Sequence, residues 1–366
     1  MPAPWRSILL TPNIMGKDGV SALSREMARA LPEPALIISL HDAPVAAVRS
    51  PAGVEIQGAR GSRTSFLLSA LQAARRSRRD VTIACSHLHL SPVARAAAML
   101  AGPARPTVVL CGIEAWVPLG VTQRWALNGS RLTAISQHTV DRFKAANAWL
   151  KDADITVCHP GLAAAAAAAP RPGPSPIALI VARMSASERY KGHDALLEIW
   201  PQVVARHPDA VLAIAGDGDD RGRLEARVRA IGIEPSVNFI GRIGDNALAG
   251  LYARCRFFVM PSRDEGFGLV FLEAMRAAKP CIGGAGAASE IIQHGVTGFI
   301  VDPAKSAELL DAMLRLYAEP ETCAQFGKAG RERFLAEFTD RHFQARFARI
   351  IGREPHTPTT STPVAA

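Results

Sequence analysis

Residues 260–275 read MPSRDEGFGLVFLEAM. The apolar run FFVM at residues 257–260 predicts a buried strand that ends at Pro261. An acidic turn with two glycines follows it, and from Gly268 onward the apolar residues recur at helical spacing. A buried strand, a glycine turn and an amphipathic helix in this order are typical of a doubly wound α/β domain.

The same alternation extends from this segment along the chain. In the second half, the predicted strands are 177–181, 211–215, 237–240, 257–260 and 280–282, and the predicted helices are 193–206, 221–231, 247–253, 268–278, 306–319 and 322–338. In the first half, the predicted strands are 7–10, 35–40, 81–85, 108–111 and 131–136, and the predicted helices are 20–31, 64–79, 92–100 and 138–148. Strands that alternate with helices predict a parallel sheet covered on both faces.

A low-complexity stretch rich in alanine and proline separates the two halves. We therefore predict an N-terminal domain at 1–162, a linker at 163–176, a second domain at 177–338, a final helix at 339–353 and a disordered tail at 354–366. We expect the final helix to pack back on the N-terminal domain. The predicted fold is α/β, with two doubly wound Rossmann-like domains that face a central cleft, where such domains bind their ligands.

Composition excludes several classes of protein. A length of 366 residues suggests two domains, and a composition of 48% hydrophobic and 20% charged residues is ordinary for a globular protein. The longest uncharged stretch, 155–170, is broken by proline and glycine and predicts no membrane span. The start of the chain resembles no signal peptide. No two of the six cysteines lie closer than 26 residues, which favours reduced thiols over a zinc site and predicts a cytoplasmic protein.

The net charge of +9 is concentrated in the first half. Residues 1–170 carry 18 Lys and Arg against 10 Asp and Glu, whereas residues 171–366 carry 24 against 23. This imbalance favours an anionic partner, such as a phospholipid surface or a phosphorylated acceptor, over a merely soluble basic surface. The run Arg75–Arg79 ends an apolar helix and predicts docking on anionic membrane at the inner face of the plasma membrane; a solvated helix end is the alternative. Interleaved aromatics are absent, so we expect no nucleic-acid partner.

Two carboxylates flank the glycine turn, Glu265 before the helix and Glu273 within it. Backbone N–H groups at a helix start bind phosphate, and carboxylates bind hydroxyls rather than phosphate, so the segment suits a sugar and a ribose on either side of a diphosphate. Arg183 and Lys191 follow the first strand of the second domain and are placed to neutralise that diphosphate. A capped surface helix and solvated charges are the alternatives.

These motifs resemble the donor-binding domain of retaining GT-B glycosyltransferases of family 4. The resemblance runs in order over about 177–303 and rests on Arg183…Lys191-Gly192, Ala215-Gly216-Asp217-Gly218, Phe239-Ile240-Gly241, Pro261-Ser262, the pair Glu265…Glu273 and Gly295…Gly298-Phe299. In the first half it is weaker and rests on Gly16…Gly19, His87-x-His89, Gly112-Ile113-Glu114-x-Trp116 and Ile135-Ser136.

The resemblance implies a metal-independent hexosyltransferase. It would move a sugar, with retention, from GDP-mannose or a UDP-sugar to a glycan or lipid-linked acceptor in surface polysaccharide or glycolipid synthesis. Glu265 would contact the donor sugar, Glu273 the ribose, and Arg183 and Lys191 the diphosphate. The other donor-binding positions would be Gly16, Gly266, Phe267, Gly268 and Leu269. In this family the leaving phosphate is thought to take the acceptor's proton. The nucleotide sugar is a substrate, and no cofactor or metal is expected.

The sequence departs from the family pattern at Cys111, where many relatives carry a histidine. His87, His89, Cys111 and Glu114 are candidate contacts for the acceptor or the sugar, with ordinary structural roles as the alternative. A nucleotide-sugar-binding protein with weak or lost transfer activity therefore stays open, as does an epimerase-type GT-B enzyme. Asp217-Gly218-Asp219 mimics a metal-binding D-x-D motif, but its position favours a loop and helix cap. The glycine pattern of a dinucleotide site is incomplete there, so we expect no NAD.

Overall fold

The computed structural model describes residues 4–44, 53–164 and 175–352. Most of the predicted linker (165–174) and the whole predicted tail (354–366) lie outside the described residues. The chain divides into two compact units. Unit 1 comprises Met1–Ile135, Arg142–His159 and Asp340–Ala366, and unit 2 comprises Ser136–Asp141 and Pro160–Thr339.

Each unit is built on one parallel sheet. The strands of the described residues are β1 (Ser7–Thr11), β2 (Ala35–Ser39), β3 (Val54–Gly58), β4 (Thr82–Cys85), β5 (Thr107–Leu110), β6 (Arg131–Ala134), β7 (Ile155–Val157), β8 (Ile177–Val181), β9 (Val211–Ala215), β10 (Val237–Gly241), β11 (Phe257–Met260), β12 (Cys281–Gly284) and β13 (Gly298–Val301). The order is β3-β2-β1-β4-β5-β6-β7 in unit 1 and β10-β9-β8-β11-β12-β13 in unit 2. Both orders reverse next to the first strand, which confirms the prediction of two doubly wound sheets.

Helices connect these strands. They are α1 (Gly19–Ala30), α2 (Arg63–Arg76), α3 (Ser91–Ala101), α4 (Val121–Leu127), α5 (Gln137–Ala146), α6 (His193–Arg206), α7 (Arg221–Ile231), α8 (Asp245–Arg254), α9 (Leu269–Arg276), α10 (Ala288–Ile291), α11 (Ser306–Ala318), α12 (Pro320–Glu337) and α13 (Asp340–Ile350). Short 3₁₀ turns lie between several of them. Within the described ranges, none of these helices combines the length and the apolar composition that a membrane crossing requires.

Burial explains why the central strands form where they do. All four residues of β11 are buried, as are Ala178, Leu179 and Ile180 of the neighbouring β8. A strand covered by helices on both faces is apolar along its whole length, which is the pattern that the sequence shows at both positions. Burial of apolar side chains also holds α13 in unit 1. Phe343 and Phe347 are buried on one side of this helix, which packs against α1.

The structure corrects several expected boundaries. The helix predicted over 64–79 ends at Arg76, so Arg78 and Arg79 lie beyond it. Its Leu67, which helical spacing groups with the buried Phe66 and Ala70, is 36% exposed. The sequence reading also missed β3 and β7, which pair at opposite edges of the first sheet, as well as β13. Strands β3 and β7 are only partly buried, so their apolar patterns are weak, whereas β13 is mostly buried and was missed because its apolar run is short.

Candidate functional site

Two loops of unit 2 leave the same edge of its sheet. Because β8 and β11 are parallel neighbours, the segments 182–192 and 261–268 both start at their carboxyl ends. The N–H of Arg263 donates to the carbonyl of Tyr190 at 3.0 Å. Gly192 has φ +91°, and a Cβ there would lie 2.7 Å from Cγ of Pro261. A glycine is therefore needed for the loops to approach this closely.

Lys191 and Glu265, 74 residues apart in sequence, meet between these loops. Lys191 Nζ donates to Glu265 Oε2 at 2.6 Å, and the two side chains are only 16% and 17% exposed. Partial burial strengthens such a pair relative to one in water. The structure thus joins a cation and a carboxylate that the sequence predicted for one site.

Arg183 lies further out in the first loop. Its side chain is 71% exposed and pairs with Glu188 of the same loop. The Glu188 side chain is only 15% exposed, so a diphosphate that binds this guanidinium has to share it with a largely buried carboxylate. Arg183 and Lys191, the two cations predicted to bind a diphosphate, are therefore each paired with a carboxylate in the folded chain.

Buried Asp220 anchors the loop that carries Lys191. Asp220 is 5% exposed and accepts hydrogen bonds from Arg223 and from Arg189 Nη2, the latter at 2.9 Å. These bonds, from Arg223 first, lower the pKa of Asp220 to about 2. The helix cap expected at 217–219 was wrong, because α7 begins after Asp220 without a side-chain cap and Asp219 instead accepts from the N–H of Ala186.

Two hydroxyl groups fix the backbone just before α9. Ser136 Oγ donates to the carbonyl of Gly266 at 2.6 Å and Thr139 Oγ1 at 3.3 Å, all within unit 2. Glu290 accepts from the first two N–H groups of α5, at 2.8 Å each. In a planar trans peptide the C=O and N–H point in opposite directions. Fixing the Gly266 carbonyl therefore aims the N–H of buried Phe267 away from the hydroxyls.

The first turn of α9 follows directly. Gly268 precedes the helix with φ +95°, and Leu269 is its first residue. N–H groups at the beginning of a helix lack partners inside it and attract anions. This turn lies beside Glu265, because a Cβ at Gly268 would be 3.4 Å from Glu265 Cγ.

Glu273 lies one turn into the same helix and is held by a tyrosine. The hydroxyl of Tyr252 donates to Glu273 Oε2 at 2.8 Å. Burial raises the pKa of Glu273 above its ordinary value, while this hydrogen bond opposes the rise. The hydrogen bond from Tyr252 therefore fixes one of the two carboxylate oxygens of Glu273.

The Gly16 loop of unit 1 follows β1. Arg25 Nη1 donates to the carbonyl of Gly16 at 2.7 Å, and Asp42 Oδ2 accepts from the N–H of Ile14 at 2.7 Å. A Cβ at Gly16 would lie 2.6 Å from Ser21 Oγ. The loop is therefore fixed in shape by its own side chains.

His87 and His89 follow β4. Their ring centroids are 5.1 Å apart, and the N–H of His89 donates to His87 Nδ1 at 3.3 Å. Burial, helped by His89, lowers the pKa of His87 to about 4, so its ring is neutral at physiological pH. His89 is exposed. Both stay candidate contacts.

Cys111 and Glu114 follow β5, the neighbour of β4. Cys111 Sγ donates to the carbonyl of Ser86 at 3.0 Å, and the Cys111 N–H donates to Glu114 Oε1 at 2.7 Å. Burial raises the pKa of both side chains, that of the thiol well above its usual value. The thiol is therefore a neutral hydrogen-bond donor and not a nucleophile at neutral pH.

The sequence reading missed the partners of the predicted residues. Tyr252 lies in a predicted helix, where a tyrosine at an apolar position carries no sign of a polar role. Ser136 belongs to the pair Ile135-Ser136, to which the resemblance gives no role, and neither Glu188 nor Asp220 lies in a sequence pattern that indicates its contacts. Only their contacts in the fold reveal what they hold.

Most of unit 2 is similar to a known protein family. Residues 165–333 match the family model described as Glycosyl transferases group 1. The chain is 33% identical over 175 residues to a GDP-mannose-dependent monoacylated alpha-(1-6)-phosphatidylinositol monomannoside mannosyltransferase of Corynebacterium glutamicum, covering 45% of each chain. It is 30% identical over 172 residues to an N-acetyl-alpha-D-glucosaminyl L-malate synthase of Bacillus anthracis, covering 47% of this chain and 44% of that one. The chain spans less than half the length of these curated relatives.

Solved structures match along almost the whole chain. HepE of Anabaena, in complex with UDP and glucose, covers 93% of this chain and 98% of its own with a TM-score of 0.76 at 20% identity. A sucrose-phosphate synthase of Thermosynechococcus elongatus covers 94% and 98% with a TM-score of 0.75 at 18% identity. At these identities the likeness shows the fold, which is that of the GT-B glycosyltransferases. The predicted resemblance to GT-B glycosyltransferases is thus confirmed, and residues 165–333 are similar to the glycosyl transferases group 1 family.

Proposed function

We propose that this protein is a retaining hexosyltransferase that moves a sugar from a nucleoside-diphosphate sugar to a glycan or lipid-linked acceptor. The observation that carries the proposal is the 2.6 Å contact between Lys191 and Glu265 beside the start of α9. It brings a cation and a carboxylate together beside the beginning of a helix, as a diphosphate joined to a sugar requires.

The proposed mechanism assigns each group one task. Lys191 and Arg183 bind the diphosphate and stabilise the charge that develops on it as the glycosidic bond breaks. Glu265 accepts hydrogen bonds from the donor sugar, and Glu273 accepts them from the ribose. The acceptor attacks from the face that the diphosphate leaves, and the leaving phosphate takes its proton. This sequence of steps needs neither a protein nucleophile nor a metal ion.

The donor and acceptor are proposed from the relatives. The names of similar proteins include GDP-mannose-dependent enzymes acting on a phosphatidylinositol mannoside, and HepE was solved with UDP. We therefore propose a GDP- or UDP-sugar as donor and an acceptor in glycolipid or surface polysaccharide synthesis.

The test measures thermal unfolding with GDP, UDP, ADP and their sugars in the presence of EDTA. Binding to the folded state raises the melting temperature by mass action. One nucleotide class should stabilise the wild type but not Lys191→Ala or Glu273→Ala, whereas Lys328→Ala, at an exposed position of α12, should behave as wild type. NMR of the product should show a retained anomeric configuration. Absence of any shift, or an inverted product, would contradict the proposal.

We further propose that the protein is cytoplasmic and docks peripherally on the inner face of the plasma membrane through unit 1. The support is a set of exposed apolar side chains on the adjoining helices α2 and α3, namely Leu67, Leu68, Met99 and Leu100. Arg75 and Arg76 end α2 on the same unit, whose charge is strongly positive. Such a combination suits anionic lipid.

Sedimentation with vesicles tests this docking. Binding to phosphatidylglycerol vesicles should exceed binding to phosphatidylcholine vesicles and fall with salt. The double variant Arg75→Glu/Arg76→Glu should lose most of it, and Lys328→Glu should not. Equal binding to both vesicles would contradict an electrostatic dock.

A further inference from the structure

A buried tyrosine outside the predicted motifs contacts the donor-binding helix. Tyr252 of α8 is 3% exposed, and its ring lies 5.9 Å from that of Phe258. Phe258 in turn packs edge-on against Phe271 of α9, at 5.4 Å between ring centroids. The aromatic contacts therefore fix the direction of the phenol ring.

The Tyr252 hydroxyl has two acceptors on α9. Glu273 Oε2 lies at 2.8 Å and the carbonyl of Val270 at 3.3 Å. A phenol has one proton, which goes to the nearer and more basic acceptor, here the carboxylate. The bond holds one oxygen of Glu273 and leaves the second oxygen for another donor.

We propose that Tyr252 is a positioning residue for the donor nucleotide, holding Glu273 so that its second oxygen accepts hydrogen bonds from the ribose hydroxyls. The inference rests on the proposed function, because it presumes that Glu273 binds ribose. Tyr252 is 3% exposed and acts through its hydrogen bond to Glu273. Its contribution is the orientation of a side chain that otherwise has several rotamers.

Burial and nearby charged groups together determine the pKa of Glu273. Burial raises the pKa of Glu273, and Asp245 of α8 raises it further; the Tyr252 hydrogen bond and Arg276 of α9 lower it. Removing the hydroxyl should therefore raise the pKa of Glu273 again. An ionised carboxylate accepts stronger hydrogen bonds from ribose hydroxyls than the protonated acid does. As the pH is lowered, nucleotide affinity should therefore begin to fall at a higher pH in Tyr252→Phe than in wild type.

The experiment compares GDP and UDP with their 2′,3′-dideoxy forms by calorimetry. Tyr252→Phe keeps the ring and removes only the hydroxyl. It should weaken binding of the ribonucleotide about fivefold to tenfold, because a hydrogen bond to a charged group is lost, and leave the dideoxy form within about twofold. In the Glu273→Gln background the same substitution should have much less effect. Melting curves of the variants check that they fold.

The outcomes separate this inference from the proposed function. If wild type binds neither GDP nor UDP, the proposed function fails and the inference with it. If wild type binds but Tyr252→Phe weakens ribonucleotide and dideoxynucleotide equally, the tyrosine has only a structural role and the inference alone is overturned. An unchanged affinity and pH profile in Tyr252→Phe would overturn it as well.

Discussion

Replacing Glu265 by glutamine should strengthen binding of the bare nucleotide and weaken catalysis. Glu265 neutralises Lys191 in the folded protein, at 2.6 Å between Oε2 and Nζ. A phosphate oxygen that binds Lys191 must share it with this carboxylate. Glutamine keeps the shape and removes the charge, so the repulsion disappears while the amide can still contact a sugar hydroxyl.

The size of the effect follows from the geometry of the shared ammonium. Two acceptors on one ammonium nitrogen lie about 5 Å apart, where like unit charges repel by about 3 kcal/mol at an effective dielectric of ~20 and by ~0.8 kcal/mol in water. The Glu265 side chain is 17% exposed, which puts the value between these limits, and salt lowers it. We therefore expect GDP or UDP, whichever the protein binds, to bind Glu265→Gln about fivefold more tightly. Turnover should fall about 100-fold, because the donor sugar is less well placed.

Calorimetry with the nucleotide and a product assay with the nucleotide sugar measure the two effects. Glu308→Gln is a matched control, since Glu308 also pairs with a lysine, Lys305 Nζ at 2.9 Å, but on the surface of α11. The control should change neither quantity. Weaker nucleotide binding in Glu265→Gln, or unchanged turnover, would refute the reasoning.

Four further outcomes can be checked with simple assays. Gly192→Ala should lower the free energy of unfolding in urea by about 2–3 kcal/mol, because φ is +91° and the new Cβ would contact Pro261. Gly232→Ala is the control: φ is +71° there with open space around it, so the free energy of unfolding should fall by about half as much. Asp220→Asn should destabilise the protein by roughly 1–2 kcal/mol at pH 7. Since the folded pKa is about 2 against 3.8 for the free group, this stabilisation is present above pH 4 and lost as the pH falls toward 2, so the two unfolding curves should converge there. Cys111 should resist iodoacetamide at pH 8 in the folded protein, as its raised thiol pKa requires, and Cys111→His should bring no gain of turnover; a large gain would favour a binding protein with lost catalysis. Turnover should be the same with and without EDTA, and a loss restored by a divalent cation would contradict the metal-independent mechanism.

The fold could be predicted from sequence where burial leaves a continuous pattern. Helices α6 and α7 and strands β9 and β11 match their predicted bounds to the residue. Each is a periodic or fully apolar run, which one sequence displays without help from the rest of the chain. The half-exposed strand β3, with the sequence VEIQG, pairs with β2 at the edge of the sheet and shows no such run.

The candidate site likewise has residues that the sequence predicts and residues that only the folded chain reveals. Glycine turns and charged residues that follow strands are visible in the sequence, so Lys191, Glu265 and Glu273 could be proposed from it. Their partners are set by the packing of distant elements: Lys191 and Glu265 are 74 residues apart, and Tyr252 reaches Glu273 from another helix. No local pattern distinguishes such a tyrosine from an ordinary core residue.

The pairing of Lys191 with Glu265 also bears on how the proposed site distinguishes substrate from product. A cluster of unpaired, partly buried charges is costly, and the ion pair removes that cost while the site is empty. When a diphosphate shares the Lys191 ammonium, the charge of Glu265 is less well compensated and gains from a new hydrogen-bond donor. A nucleotide sugar supplies it through the sugar hydroxyls, but a bare nucleoside diphosphate does not. We therefore expect the wild type to prefer the nucleotide sugar over the nucleotide, and the preference to shrink in Glu265→Gln because the amide carries no charge to satisfy. The same carboxylate would then keep the site neutral before the donor binds and favour release of the nucleotide once the sugar has left.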